Sequence, residues 1–156
     1  FIFLFLLAPA TLAVFPLSHF VINHPAYEAK NYPQAAVNFL SSHQLPGPIF
    51  NVYGWGGYLI RRLHPNYPVY IDGRADVYGD AFMVETMKAY DGHTNWRQPL
   101  DQRGVRTVII APTSPLASLL REDDSWTRAY EDKQAVIFTR SNHFDVAKAP
   151  GGSNSR

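Results

Sequence analysis

The stretch NVYGWGGYLIRRLHPNYPVYIDGRADVY, residues 51–78, decides how the rest of the chain is read. A short apolar run at residues 49–53 meets three glycines, Gly54, Gly56 and Gly57. A helical pattern opens straight after them, with Trp55, Tyr58, Leu59, Arg62 and Leu63 at i, i+3, i+4, i+7 and i+8. The order is strand, tight turn, helix. Pro65 and Pro68 end that helix, and residues 69–71 read as a second short strand leaving into Asp72, Gly73, Arg74 and Asp76. Ligands of open α/β sheets usually bind in the crevice beyond the carboxyl ends of the strands, so the two polar exits are expected to share one site.

Working outward toward the start of the chain, residues 1–22 hold 17 apolar side chains and no formal charge. A helix rises about 1.5 Å per residue and a bilayer's hydrocarbon core is roughly 30 Å thick, so this segment is expected to span a membrane within residues 1–23. The other reading is a truncated signal peptide cleaved near Ala8-Pro9-Ala10, against which the apolar sequence continues to Ile22 with no basic region ahead of it. An apolar run that begins at Phe1 suggests a fragment preceded by further membrane helices. Residues 24–43 carry only Glu28 and Lys30, without the Lys/Arg excess of a cytoplasmic flank, which leans the following domain to the extracytoplasmic side.

Beyond the apolar segment, residues 27–146 suffice for one domain that buries about two-thirds of its unfolded surface. The 156-residue chain has 14 basic and 13 acidic residues, a net charge of +1 with no basic stripe, which argues against nucleic acid as a partner. Cysteine is absent, so disulfides, thiolate metal sites and thiol catalysis are excluded.

The remaining segments fit an α/β domain. Residues 32–43 are helical, opening at Tyr32-Pro33 with Ala36, Phe39, Leu40 and His43 on one stripe. Residues 79–90 form an amphipathic helix expected to turn Met83, Met87 and Tyr90 to the core. A shorter helix at 95–103 would bury Trp96 and Leu100, with Gly104 following it. The uninterrupted apolar run 107–111 fits a strand covered on both faces, and Pro115 starts a helix burying Leu116, Leu119 and Leu120. Residues 126–131 and 135–139, joined by Asp132, Lys133 and Gln134, are expected to form an edge hairpin. The fold expected is a small three-layer mixed sheet, with 49–53, 69–71 and 107–111 parallel at its centre. The Pro, Gly, Ser and Asn of residues 147–156 read as a disordered tail.

Two constellations carry possible chemistry. A glycine turn before a helix points backbone N–H groups at an anion, yet GWGG has neither the dinucleotide-binding nor the P-loop spacing; alternatively, the glycines let the helix pack closely on its neighbour. Asp72, Arg74 and Asp76, with Tyr78 beyond, offer a guanidinium fork for phosphate and acceptors for sugar hydroxyls; alternatively, they form an internal ion pair around a turn at Gly73. His19, His24, His43, His64, His93 and His143 lack metal-ligand spacing, and no cofactor motif is present. Glu122, Asp123 and Asp124 read as a solvated loop.

The apolar segment followed by YPQAAVNFL (32–40), FNVYGWGGYLI (50–60) and VYIDGRADVYG (69–79) resembles the C-terminal part of bacterial polytopic membrane proteins that look like GT-C-type glycosyltransferases. The resemblance covers nearly the whole chain. It implies an extracytoplasmic domain acting as a lid or acceptor platform beside a lipid-linked sugar phosphate, with the bilayer as its other partner. More distantly, YGWGGY (53–58) is similar in place to the Trp-Trp-Asp-Tyr-Gly motif of the oligosaccharyltransferase catalytic subunit, but the Trp pair and the Asp are missing and peptide recognition does not carry over. Catalytic acids of such enzymes lie in loops between early membrane helices, so the resemblance assigns none here. Trp55, Gly56, Gly57, Tyr58, Asp72, Gly73, Arg74, Asp76 and Tyr78 stand as candidate substrate-binding residues. The other reading of these motifs is a noncatalytic membrane-tethered interaction domain.

Overall fold

A computed structural model describes residues 25–141. The expected span at residues 1–23 and the tail at 147–156 lie outside them; among the described residues no helix is long and apolar enough to cross a membrane. The chain divides into two compact units at Gln34. In the first, residues 25–31 are helical, Asn31 Nδ2 donates to the Tyr27 carbonyl at 2.8 Å, and the Tyr27 and Tyr32 rings meet edge to face at 6.4 Å.

The second unit is a small α/β domain whose elements run α1 (Gln34–Ser42), β1 (Ile49–Asn51), α2 (Gly56–Leu63), α3 (Ala75–Tyr78), α4 (Asp80–Tyr90), α5 (Arg97–Gln102), β2 (Thr107–Ile110), α6 (Pro115–Glu122), β3 (Trp126–Glu131) and β4 (Val136–Arg140). A 3-10 turn, Tyr53–Trp55, joins β1 to α2, so the first strand stops at Asn51 rather than at Tyr53. The sheet is mixed, in the order β1-β2-β4-β3: β1 is parallel to β2, while β4 is antiparallel to both β2 and β3. Arg128 pairs with Phe138 and Tyr130 with Ile137, leaving Ala129 as a bulge in β3.

Alternation along the strands builds the two faces. Phe50, Val108, Ile110, Val136 and Phe138 join Ala89 of α4, Leu100 of α5 and Leu116, Ala117 and Leu120 of α6 in one buried cluster. Ile49, Ile109 and Ile137 point the other way with Tyr130, on whose ring Phe39 of α1 packs at 4.9 Å. Helices thus lie on both faces, and burying each such large side chain contributes about 1.5–3 kcal/mol. Pro115 sits in the first turn of α6 as its sequence implies, and Ser114 Oγ accepts from Ala117 N at 3.3 Å as the cap.

Two expectations are corrected. Residues 69–71 are not a strand of the sheet, because their backbone bonds to the side chain of Asn51 instead of to a neighbouring strand. The expected edge hairpin is present, with β3 outermost and β4 joining it to β2. Met87 is exposed and Met83 half-buried; α4 turns its smaller Thr86 and Ala89 inward, and Thr86 Oγ1 satisfies itself on the Phe82 carbonyl at 2.8 Å.

Candidate functional site

At the carboxyl end of β1, Asn51 is buried and works as a clamp. Its Nδ2 donates to the carbonyls of Ile71, at 2.8 Å, and Val52, at 2.9 Å, while its Oδ1 accepts from Tyr70 N at 2.9 Å. One amide therefore supplies the donor and acceptor that a strand partner would have supplied. The Phe50 and Tyr70 rings, 4.8 Å apart, hold the same segment from the side.

The clamp brings the two glycine-centred motifs together. Gly56 is buried with its backbone against the second motif: a Cβ there would stand 2.2 Å from Ile71 O and 2.4 Å from Asp72 Cα. Asp72 thus stands beside the start of α2, where the helix dipole favours a carboxylate. The N–H groups of Trp55 and Gly56 are already used, donating to Val52 O and Tyr53 O. Gly56 therefore serves close packing, while Gly54, Gly57 and Gly73 have open space where a Cβ would be.

Asp72 carries the electrostatics of this corner. Its carboxylate accepts from Arg74 Nε at 3.0 Å, Arg74 Nη2 at 2.6 Å and the Arg74 backbone N at 3.0 Å. The Asp72 side chain is 4% exposed and that of Arg74 66%. The hydrogen bond from Arg74 holds the Asp72 carboxyl down at about 2 against the opposing effect of burial, and Asp72 in turn raises the guanidinium above its ordinary value. Tyr78 stands beside both groups; burial and the Asp72 carboxylate push its phenol upward. Its ring stacks on Phe82 at 5.2 Å, Phe82 stacks on Tyr70 at 5.3 Å, and Arg103, bound to Glu85, lies 4.7 Å over Phe82.

Of the nine candidates, Gly56, Asp72, Arg74 and Tyr78 come together. Tyr58 does not join them: it lies two positions, about 200°, round α2 from Gly56, buried with Arg61 and Arg62 over its ring at 5.6 and 6.0 Å. Trp55 is half-buried in the 3-10 turn, and Asp76 is exposed in the first turn of α3.

A second place, not singled out in the sequence, lies at the other end of the sheet. A cleft of about 490 Å³ opens between the ends of α1 and α2, lined by Ser41, Gln44, Arg62, His64, Asn66 and Tyr67 over Leu45 and Leu63. The signal for it is compositional: residues 35–71 contain no Asp or Glu. Among the described residues, no group of three or more His, Cys, Asp or Glu is placed to hold a metal ion. Comparison with known protein families, with curated proteins and with solved structures gives no match.

Proposed function

We propose that this α/β domain is the extracytoplasmic platform of a membrane glycosyltransferase-like protein, anchored by a span within residues 1–23, and that Arg74 meets the phosphate of a lipid-linked sugar. The observation that carries this reading is the exposed Arg74 guanidinium held by the buried Asp72 carboxylate. Asp72 takes Nε and Nη2 and Tyr78 stands against the same guanidinium, so an anion would meet the part of the fork turned to solvent. A carboxyl held near 2 and engaged in that pair stays ionised at neutral pH, so Asp72 is a positioning group and not a general acid. Catalysis in the parent protein would then fall to other residues, and this domain would orient donor or acceptor. Tyr78, beside both groups, is assigned to the rim of the same surface.

The test uses the full chain in lipid nanodiscs with undecaprenyl monophosphate as the probe. Arg74→Ala should weaken binding at least tenfold while the circular dichroism stays native. Equal binding by a folded Arg74→Ala variant would refute the phosphate role. A second reading, a noncatalytic membrane-tethered interaction domain, is favoured by the close fit of Asp72 and Arg74 to each other. It predicts instead that Arg74→Ala loosens the fold and that the lipid phosphate has no effect on either protein.

A further inference from the structure

Seven arginines of the domain have described side-chain partners of two kinds. Arg74, Arg97, Arg103, Arg121, Arg128 and Arg140 each meet a carboxylate, of Asp72, Asp123, Glu85, Glu131, Glu131 and Asp101 respectively. Arg62 meets an amide: its Nη2 donates to Asn38 Oδ1 at 3.0 Å, which fixes the side chain without neutralising it. Arg62 also lines the cleft at the amino ends of β1 and β2, where Thr107 Oγ1 donates to Pro46 O and Arg106 N to Pro48 O.

The lining selects a class of ligand. It contains no carboxylate, and its apolar residues are only Leu45 and Leu63. Gln44, His64 and Asn66 supply side-chain donors and acceptors that make no hydrogen bond among the described residues. Ser41 Oγ and Tyr67 Oη already donate, to Val37 O at 3.0 Å and Leu40 O at 3.4 Å, so each presents lone pairs to a ligand hydroxyl. The ends of two helices carry partial negative charge, which an anion has to overcome. Here Arg61 and Arg62 occupy the last turn of α2, and the Phe39, Leu40, Ile60 and Leu63 carbonyls already have donors.

We propose that this cleft binds a small polyol carrying one oxyanion, a carboxylate or a phosphate. The oxyanion lies on Arg62, and the hydroxyls meet Ser41, Gln44, Asn66 and Tyr67. The volume of about 490 Å³ admits a single pyranose with its anionic group.

The experiment titrates glucuronate and glucose 1-phosphate into the 15N-labelled full chain in detergent micelles, with glucose and inorganic phosphate as comparisons. Both anionic sugars should shift the amides of residues 41–47 and 62–67 and the Arg62 side-chain resonance, with millimolar affinity. Arg62→Gln should weaken binding at least tenfold, and Arg128→Gln should leave it unchanged. Binding of glucose as tight as that of glucuronate would overturn the role of the oxyanion. Inorganic phosphate binding as tightly as glucose 1-phosphate would overturn the role of the hydroxyls, and an unaltered affinity in Arg62→Gln would overturn the site. Shifts confined to Arg74 and its neighbours would also overturn it while leaving the proposed function standing.

Discussion

Gly56 and Ile71 touch backbone to backbone: a methyl group on Gly56 would sit 2.2 Å from the Ile71 carbonyl oxygen, inside any allowed contact. Neither atom belongs to a flexible side chain, so the overlap is relieved only by moving α2 or the 70–72 segment. Gly56→Ala should therefore cost about 3 kcal/mol or more, read as a lowered urea midpoint. Gly57→Ala, one residue along the same helix with open space around it, should stabilise by about 0.5–1 kcal/mol. Equal effects at the two positions would contradict the packing described.

The clamp at Asn51 gives a second test. Asn51→Ala leaves the Ile71 and Val52 carbonyls and the Tyr70 N–H without their side-chain partner, at a cost of about 3 kcal/mol. Asn51→Asp should be worse at neutral pH, since an ionised carboxylate cannot donate to those carbonyls. Folding then favours the protonated acid, so the folded chain binds the extra proton and stability recovers as the pH is lowered from 7 toward 4. Denaturation midpoints across that interval measure it; a flat profile would exclude the donor role of Nδ2.

Asp72 predicts the acid limb. Its carboxyl moves from an ordinary 3.8 to about 2 on folding, chiefly through the hydrogen bond from Arg74. As the pH falls the unfolded chain takes up this proton first, so the stabilisation is complete above 3.8 and is lost on descending through about 2. Urea midpoints of the wild-type chain should drop over this window, and the drop should be smaller in Arg74→Ala, the remainder coming from Asp123, Glu131 and Asp132, which are also held low. An identical acid limb in both proteins would remove the pair from the account.

Gln44, just past α1, has φ of 48°, the left-handed region that glycine usually fills at a helix end. Gln44→Gly should raise stability by about 1 kcal/mol in a thermal melt, because the side chain is strained there. The same substitution should weaken glucuronate binding at the cleft. A more stable protein that binds less ligand would show that the strained glutamine is kept for recognition.

The sequence was legible where a local pattern and its tertiary partner agree. The apolar run at 107–110 became a strand covered on both faces, Pro115 opened α6, and Gly104 took a φ of 59° past α5. The two glycine motifs do lie together, but not as two strand exits, since residues 69–71 are no strand; the Asn51 side chain that joins them was not readable. A strand-like run such as 69–71 looks the same whether its backbone partner is another strand or one amide 20 residues away. Strand order was equally hidden, since nothing local in residues 136–140 says that β4 pairs with β2 as well as with β3. On α4 the periodicity placed Met87 inward, but the residues buried there are Thr86 and Ala89, with Tyr90 packed against the core as expected. The division of labour at residues 72–74 lay beyond pattern altogether, because an Asp and an Arg two apart read alike whether paired or free.

The bulge at Ala129 has a bearing on how this protein behaves in a crowded solution. A sheet margin with a long, regular row of free peptide groups is a template on which another chain can polymerise. Here one margin, β1, is three residues long, too short to seed a ladder. The other is broken at Ala129, and its end is crossed by the Arg128–Glu131 and Arg121–Glu131 ion pairs, which would have to be stripped before a foreign strand could dock. Both margins of the sheet among the described residues are thus guarded against strand addition, one by brevity and the other by the bulge and charge.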